Sequence, residues 1–129
     1  MRKRQKRNEM ASCCPSKPEL TKRPLIGHEK ASELGGLFKI LCNESRLRLL
    51  HALARSGELC VSDLAETIKM KPQAVSNQLQ RLVGRGILSS RREGNSIYYH
   101  IADPCVVTLL DQGLCLMEDA RRAPQIRKT

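Results

Sequence analysis

Apolar residues recur at helical spacing in four successive stretches, then alternate, then return to helical spacing. In "EKASELGGLFKILCN" the line runs through Leu34, Leu37, Phe38 and Leu41, which predicts an amphipathic helix. "ESRLRLLHALARSG" continues through Leu47, Leu50 and Ala54, with Gly57 placed to end that helix. "VSDLAETIK" reads as a short helix, and "KPQAVSNQLQRLVGRG" as a longer one with Pro72 at its first position. The apolar line of the longer helix is Val75, Leu79, Leu82 and Val83. "ILSSRREGNSIYYHI" then alternates as two short strands broken at Gly94-Asn95, where a leading glycine suits a type II′ hairpin. A last helix is expected from about Pro104 to Ala120, with Val107, Leu110, Leu114 and Met117 on one seam.

The resulting order is α-α-α-α-β-β-α: mainly α with a β-hairpin wing, a winged helix-turn-helix and no internal repeats. The tails differ from this patterned part. Residues 1–27 are polar and basic and carry Pro15, Pro18 and Pro24, so they read as a flexible basic arm that holds Cys13 and Cys14. Residues 28–120 form the patterned domain, and 121–129 a basic tail with Arg121, Arg122, Arg127 and Lys128. At 129 residues the chain suits one domain of modest core, built from Leu, Ile, Val and Ala because aromatics make up only 2%.

Charge narrows the function classes. Lys and Arg number 23 against 13 Asp and Glu, a formal net charge of +10, which is the electrostatic footprint of a nucleic-acid binder. No apolar run approaches the ~18 residues of a membrane span. The basic start lacks the apolar stretch of a signal peptide, so the chain is expected in the cytoplasm with its six cysteines reduced. No catalytic Ser/His/Asp or Cys/His spacing and no glycine-rich phosphate loop is present, so an enzyme is not expected.

The fourth helix shows why the partner is expected to be double-stranded DNA. At ~100° per residue, Gln73, Asn77, Gln80 and Arg81 fall opposite its apolar line, with Ser76 at the margin. Amides, a hydroxyl and a guanidinium are groups that read base edges in a major groove. A recognition helix presents its N-terminal half to the bases, which assigns Gln73, Ser76 and Asn77 to bases, and Arg81 and Lys71 to phosphates. Lys71 stands where a Ser or Asp cap is usual, and a cation there makes sense beside a phosphate. In the wing, Arg91 and Arg92 precede the hairpin tip, within reach of backbone or minor groove.

Three cysteines form the second constellation. Cys13 and Cys14 are poor partners for each other, because adjacent Cα atoms lie ~3.8 Å apart while unstrained disulfides want ~4.4 to 6.8 Å. Cys60 begins the third helix and, with Asp63 three residues on, has capping-box spacing. A helix N-terminus favours thiolate, the form that binds soft ions. Cys13, Cys14 and Cys60 together supply three sulfurs, a trigonal site suited to As(III) or Sb(III), with Hg(II), Cd(II) or Pb(II) as alternatives and Zn(II) wanting a fourth ligand. A disulfide switch between the arm and Cys60 is the redox alternative. Cys42 reads as core. Cys105 and Cys115 stand about 80° out of line on the last helix, and His28, His51 and His100 are isolated.

On "LFKILCNESRLRLLHAL", "GELCVSDLAE", "AVSNQLQRLVGRGIL" and "GNSIYYHI", the chain resembles the ArsR/SmtB family of metal-sensing winged-helix repressors over about residues 29–120. The resemblance implies a homodimer paired through its first and last helices, an inverted-repeat operator, and release of DNA when inducer binds. Family members with a sulfur site on the third helix often read "ELCVCDL"; here Cys60 matches the first cysteine and Ser62 replaces the second. Some arsenic-sensing members pair one cysteine at this helix with a vicinal pair in the arm, and Cys13, Cys14 and Cys60 look like that arrangement. The family's other metal site, on the last helix, would fall on Asp103, Cys105, Leu116 and Asp119. Leu116 cannot ligate, so that site is expected to be absent or altered.

Overall fold

The elements start and stop where short polar side chains and a few unusual backbone angles dictate. A computed structural model describes residues 16–122. Residues 16–27 are exposed and irregular apart from a 3-10 turn at Leu20–Lys22. Helix α1 spans His28–Leu41 and α2 spans Glu44–Ser56. Asn43 caps α2 by accepting the Arg46 backbone N–H at 3.0 Å, and Gly57, at φ 90, closes it with a bond to the Leu53 carbonyl.

Strand β1, Leu59–Cys60, leads directly into α3, Val61–Ile68. Lys69 turns left-handed at φ 62, and the Met70 N–H reaches back to the Ala65 carbonyl at 3.0 Å, a Schellman closure. Arg48 Nη1 adds a bond to the Ile68 carbonyl at 3.1 Å. Helix α4 follows at Pro72–Gly84, strands β2 and β3 at Leu88–Glu93 and Ser96–Ile101, and α5 at Pro104–Arg122. Asp103 accepts the Cys105 N–H at 2.9 Å at the start of α5, and this bond holds its carboxyl below the usual range.

The sheet is antiparallel in the order β1-β3-β2. Glu93 pairs with Ser96 across Gly94-Asn95, and Gly94 has φ 64, the positive angle a II′ turn asks of its first position. The helix order and the hairpin match the expectation. β1 is an addition: Leu59 pairs with Tyr99 and Cys60 with Tyr98, which makes the wing three-stranded.

The core lies where α2, α3 and α4 meet the sheet, around Leu49, Leu50, Leu53, Leu64, Val75, Leu79, Leu82 and Leu88, each at most 2% exposed. Two expectations need correcting. In α2 the inward line is Leu49, Leu50 and Leu53, while Leu47 and Ala54 lie outside it. Cys42 is exposed and not core, because α1 ends at Leu41 and the next residue turns away from the helix path. The expected α5 seam is largely uncovered: Val107, Leu114 and Met117 are 41%, 48% and 53% exposed. With Phe38, Leu41, Leu47 and Leu110 these side chains line an apolar groove of about 640 Å³ between α1, α2 and α5. Among the described residues, no helix is long and apolar enough to cross a membrane.

Candidate nucleic-acid interface and thiol site

Helix α4 is held by one apolar edge and shows the other to solvent. Val75, Leu79 and Leu82 are buried, whereas Gln73, Asn77, Gln80 and Arg81 are exposed and Ser76 is half-buried. Gln73 Nε2 donates to Asn77 Oδ1 at 3.2 Å, so two amides one turn apart are fixed relative to each other on that face. Lys71 occupies the N-cap with extended backbone angles and no side-chain cap, and Pro72 follows. The first turn of α4 thus keeps free N–H groups beside an exposed cation, an arrangement that suits an anion.

The wing treats its two arginines differently. Arg91 points to the outer face of the sheet, where Nε and Nη2 donate to the two Glu58 oxygens at 2.8 and 2.9 Å and Nη1 donates to Glu93 at 2.6 Å. Its guanidinium also lies 5.0 Å from the Tyr98 ring centroid. The fork–fork geometry and the charge of Arg91 hold the Glu58 carboxyl below the ordinary range; the His100 ring, with Nδ1 3.8 Å away, adds to the effect. Arg92 is exposed on the opposite face of β2. Sequence reading did not find this Glu58–Arg91–Glu93 cluster, whose main partners are 33 residues apart.

Cys60 sits at the N-cap of α3, half-buried, at the junction of that helix and the sheet. The capping box does not form: no side-chain cap bond is present, and Sγ instead donates to Asp63 Oδ2 at 3.4 Å, with Ser62 Oγ at 3.3 Å. Sulfur is a weak acceptor, so it leaves the amide and turns to the carboxylate. Cys13 and Cys14 lie outside the described residues. Among the described residues no group of three or more His, Cys, Asp or Glu side chains could hold a metal ion. Neither the thiol of Cys60 alone nor the α5 positions Asp103, Cys105 and Asp119 therefore complete a site within one described protomer.

These features define a winged helix-turn-helix transcriptional regulator, in which α3 and α4 form the helix-turn-helix and β2–β3 the wing. The family model for bacterial regulatory proteins of the arsR family matches residues 43–90. The cadmium resistance transcriptional regulatory protein CadC of Listeria innocua is 35% identical over 86 residues, 67% of this chain and 72% of that protein. The crystal structure of AntR, an antimony-specific transcriptional repressor, is 60% identical with a TM-score of 0.72, and the match covers 82% of this chain and 96% of that one. A homodimeric winged helix-turn-helix DNA-binding domain from Mycobacterium bovis, solved by NMR, is 31% identical with a TM-score of 0.62 over 75% of this chain and 92% of its own. The chain belongs to the arsR family of bacterial regulatory proteins.

Proposed function

We propose that the protein is a cytoplasmic, homodimeric transcriptional repressor that grips an inverted-repeat operator with α4 and lets go when a thiophilic ion is captured. The observation that carries this reading is the place of Cys60. It is the last residue of β1 and the N-cap of α3, so its sulfur stands where the sheet of the wing joins the first helix of the helix-turn-helix. An ion held there and by a second segment pulls on both DNA-contacting parts at once. Cys13 and Cys14 supply that second segment in this proposal, and three sulfurs favour As(III) or Sb(III) over Cd(II), Pb(II) or Hg(II). The likeness to an antimony-specific repressor supports that choice.

On the DNA side, Gln73, Ser76, Asn77 and Gln80 face the bases, while Lys71, Arg81 and Arg92 meet phosphates. Arg91 joins them only by giving up its bonds to Glu58 and Glu93. The dimer is supported by the apolar groove beside α5, where Leu114 and Met117 are 48% and 53% exposed. Moving a population from 1:99 to 99:1 takes a ~10⁴-fold preference for the released state.

Fluorescence anisotropy of the full chain on its operator, with arsenite, antimonite, Cd(II), Pb(II) and Hg(II) added in turn, tests the proposal. Arsenite or antimonite should release wild-type protein, while Cys60→Ser and the Cys13→Ser/Cys14→Ser double variant should bind DNA normally and need at least about tenfold more ion. Release of the double variant at the wild-type arsenite concentration refutes a role for the arm. Release by peroxide alone, with loss of titratable thiols, points instead to a disulfide switch.

A further inference from the structure

Arg46 is the one charged side chain buried among the described residues, and no carboxylate among them pairs with it. It is the third residue of α2; its backbone N–H is held by the Asn43 cap, and its side chain is buried where α1, α2 and α4 meet. Nη1 donates to the Ile40 carbonyl at 2.9 Å, one of the last-turn carbonyls of α1 that has no partner within its own helix. Nε donates to Gln78 Oε1 on α4.

A guanidinium keeps its charge, and taking it out of water without a counter-charge is costly unless its donors are well used. A methionine or leucine in its place would cap nothing but would avoid that cost. The two bonds that offset it share one property: they join the end of α1 to the side of α4. Gln78 is the neighbour of Asn77, and Asn77 carries the amide pair with Gln73. Farther along the same seam, a Cβ added at Gly36 on α1 would come within 3.5 Å of Arg85 Nη2 at the end of α4. Arg85 thus lies beside α1, while Arg46 is hydrogen-bonded to both α1 and α4.

We infer that Arg46 is a positioning residue for operator recognition: through Gln78 it sets the rotation of α4 about its axis, and with it the direction in which Asn77 and Gln73 face. The inference rests on the proposed DNA-reading role of α4. The link also runs from the helix proposed to pair the two protomers to the helix proposed to read bases, so it fixes the reading face relative to the twofold axis. A single hydrogen bond from a charged donor is large enough to matter to a helix that must be aimed.

Operator affinity, affinity for scrambled duplex, and the salt dependence of both, measured on the full chain, test the inference. Arg46→Met should lose about tenfold in operator affinity, with binding to scrambled duplex and the salt slope unchanged. Gln78→Met breaks the same link from the other side and should lose a similar factor. It serves alone if Arg46→Met fails to fold by circular dichroism. The double variant should be no worse than either single one, the mark of one shared interaction. Arg46→Lys should not rescue, because a single ammonium lacks the fork that spans Ile40 and Gln78.

The inference is overturned if folded Arg46→Met or Gln78→Met discriminates operator from scrambled duplex as wild type does. It is equally overturned if the salt slope of Arg46→Met falls by about one, which would make Arg46 a phosphate contact. Failure of the wild type itself to prefer operator would strike the DNA-reading proposal and leave the Arg46 bridge as a structural cap.

Discussion

Single side chains decide how much of the basic surface is free for DNA. Arg91 and Arg92 are neighbours in sequence, yet β alternation sends them to opposite faces, and Glu58 and Glu93 engage only Arg91. Replacing Glu58 by Gln should release part of that hold. The expected result is a steeper fall of operator affinity with salt, since a freed guanidinium can add a phosphate contact; an unchanged slope argues that Arg91 stays on the sheet. The same pair carries a pH signature. Because Arg91 depresses the Glu58 carboxyl below its ordinary value of 4.5, the pair's stabilisation is fully present above that pH and is lost as pH falls through the lower folded-state value. Glu58→Gln, followed by circular dichroism, should be slightly less stable than wild type near neutrality, by little because the pair is exposed, and the two should converge as pH falls below about 4.5.

At the level of elements, what could be read from sequence was what repeats or punctuates. The line Val75, Leu79, Leu82 placed α4 correctly, and Gly94-Asn95 placed the wing's turn, because both signals are local. β1 escaped notice since two residues have no period; only pairing with Tyr98 and Tyr99 makes Leu59–Cys60 a strand. Arg46 gave no signal in the sequence, because its partners Ile40 and Gln78 come together only in three dimensions. Cys42 was misplaced for the opposite reason: it extends an apolar line by one residue past the point where α1 stops. Of the thiol constellation, Cys60 was expected at a helix start and lies there, but its bond to the Asp63 carboxylate in place of a cap depends on sulfur's weakness as an acceptor.

Across the whole molecule, apolar pattern and burial part company in an informative way. Phe38 on α1 and Leu114 and Met117 on α5 obey helical spacing, yet are 46%, 48% and 53% exposed. A seam that is regular but uncovered is complete only with a second copy in the proposed dimer. Phe38→Asp should leave the winged domain folded, because Phe38 is outside the core, while shifting sedimentation from dimer to monomer and weakening operator binding by about tenfold or more. A dimer that survives this change with operator affinity intact would place the pairing surface elsewhere.

The central claim is that Cys60 shares one ion with the vicinal pair of the arm. Arsenic X-ray absorption on the arsenite-loaded full chain addresses this without reference to DNA. An all-sulfur first shell is expected for wild type, with one sulfur replaced by oxygen in Cys60→Ser and two in Cys13→Ser/Cys14→Ser. A first shell in Cys60→Ser identical to that of wild type would contradict it.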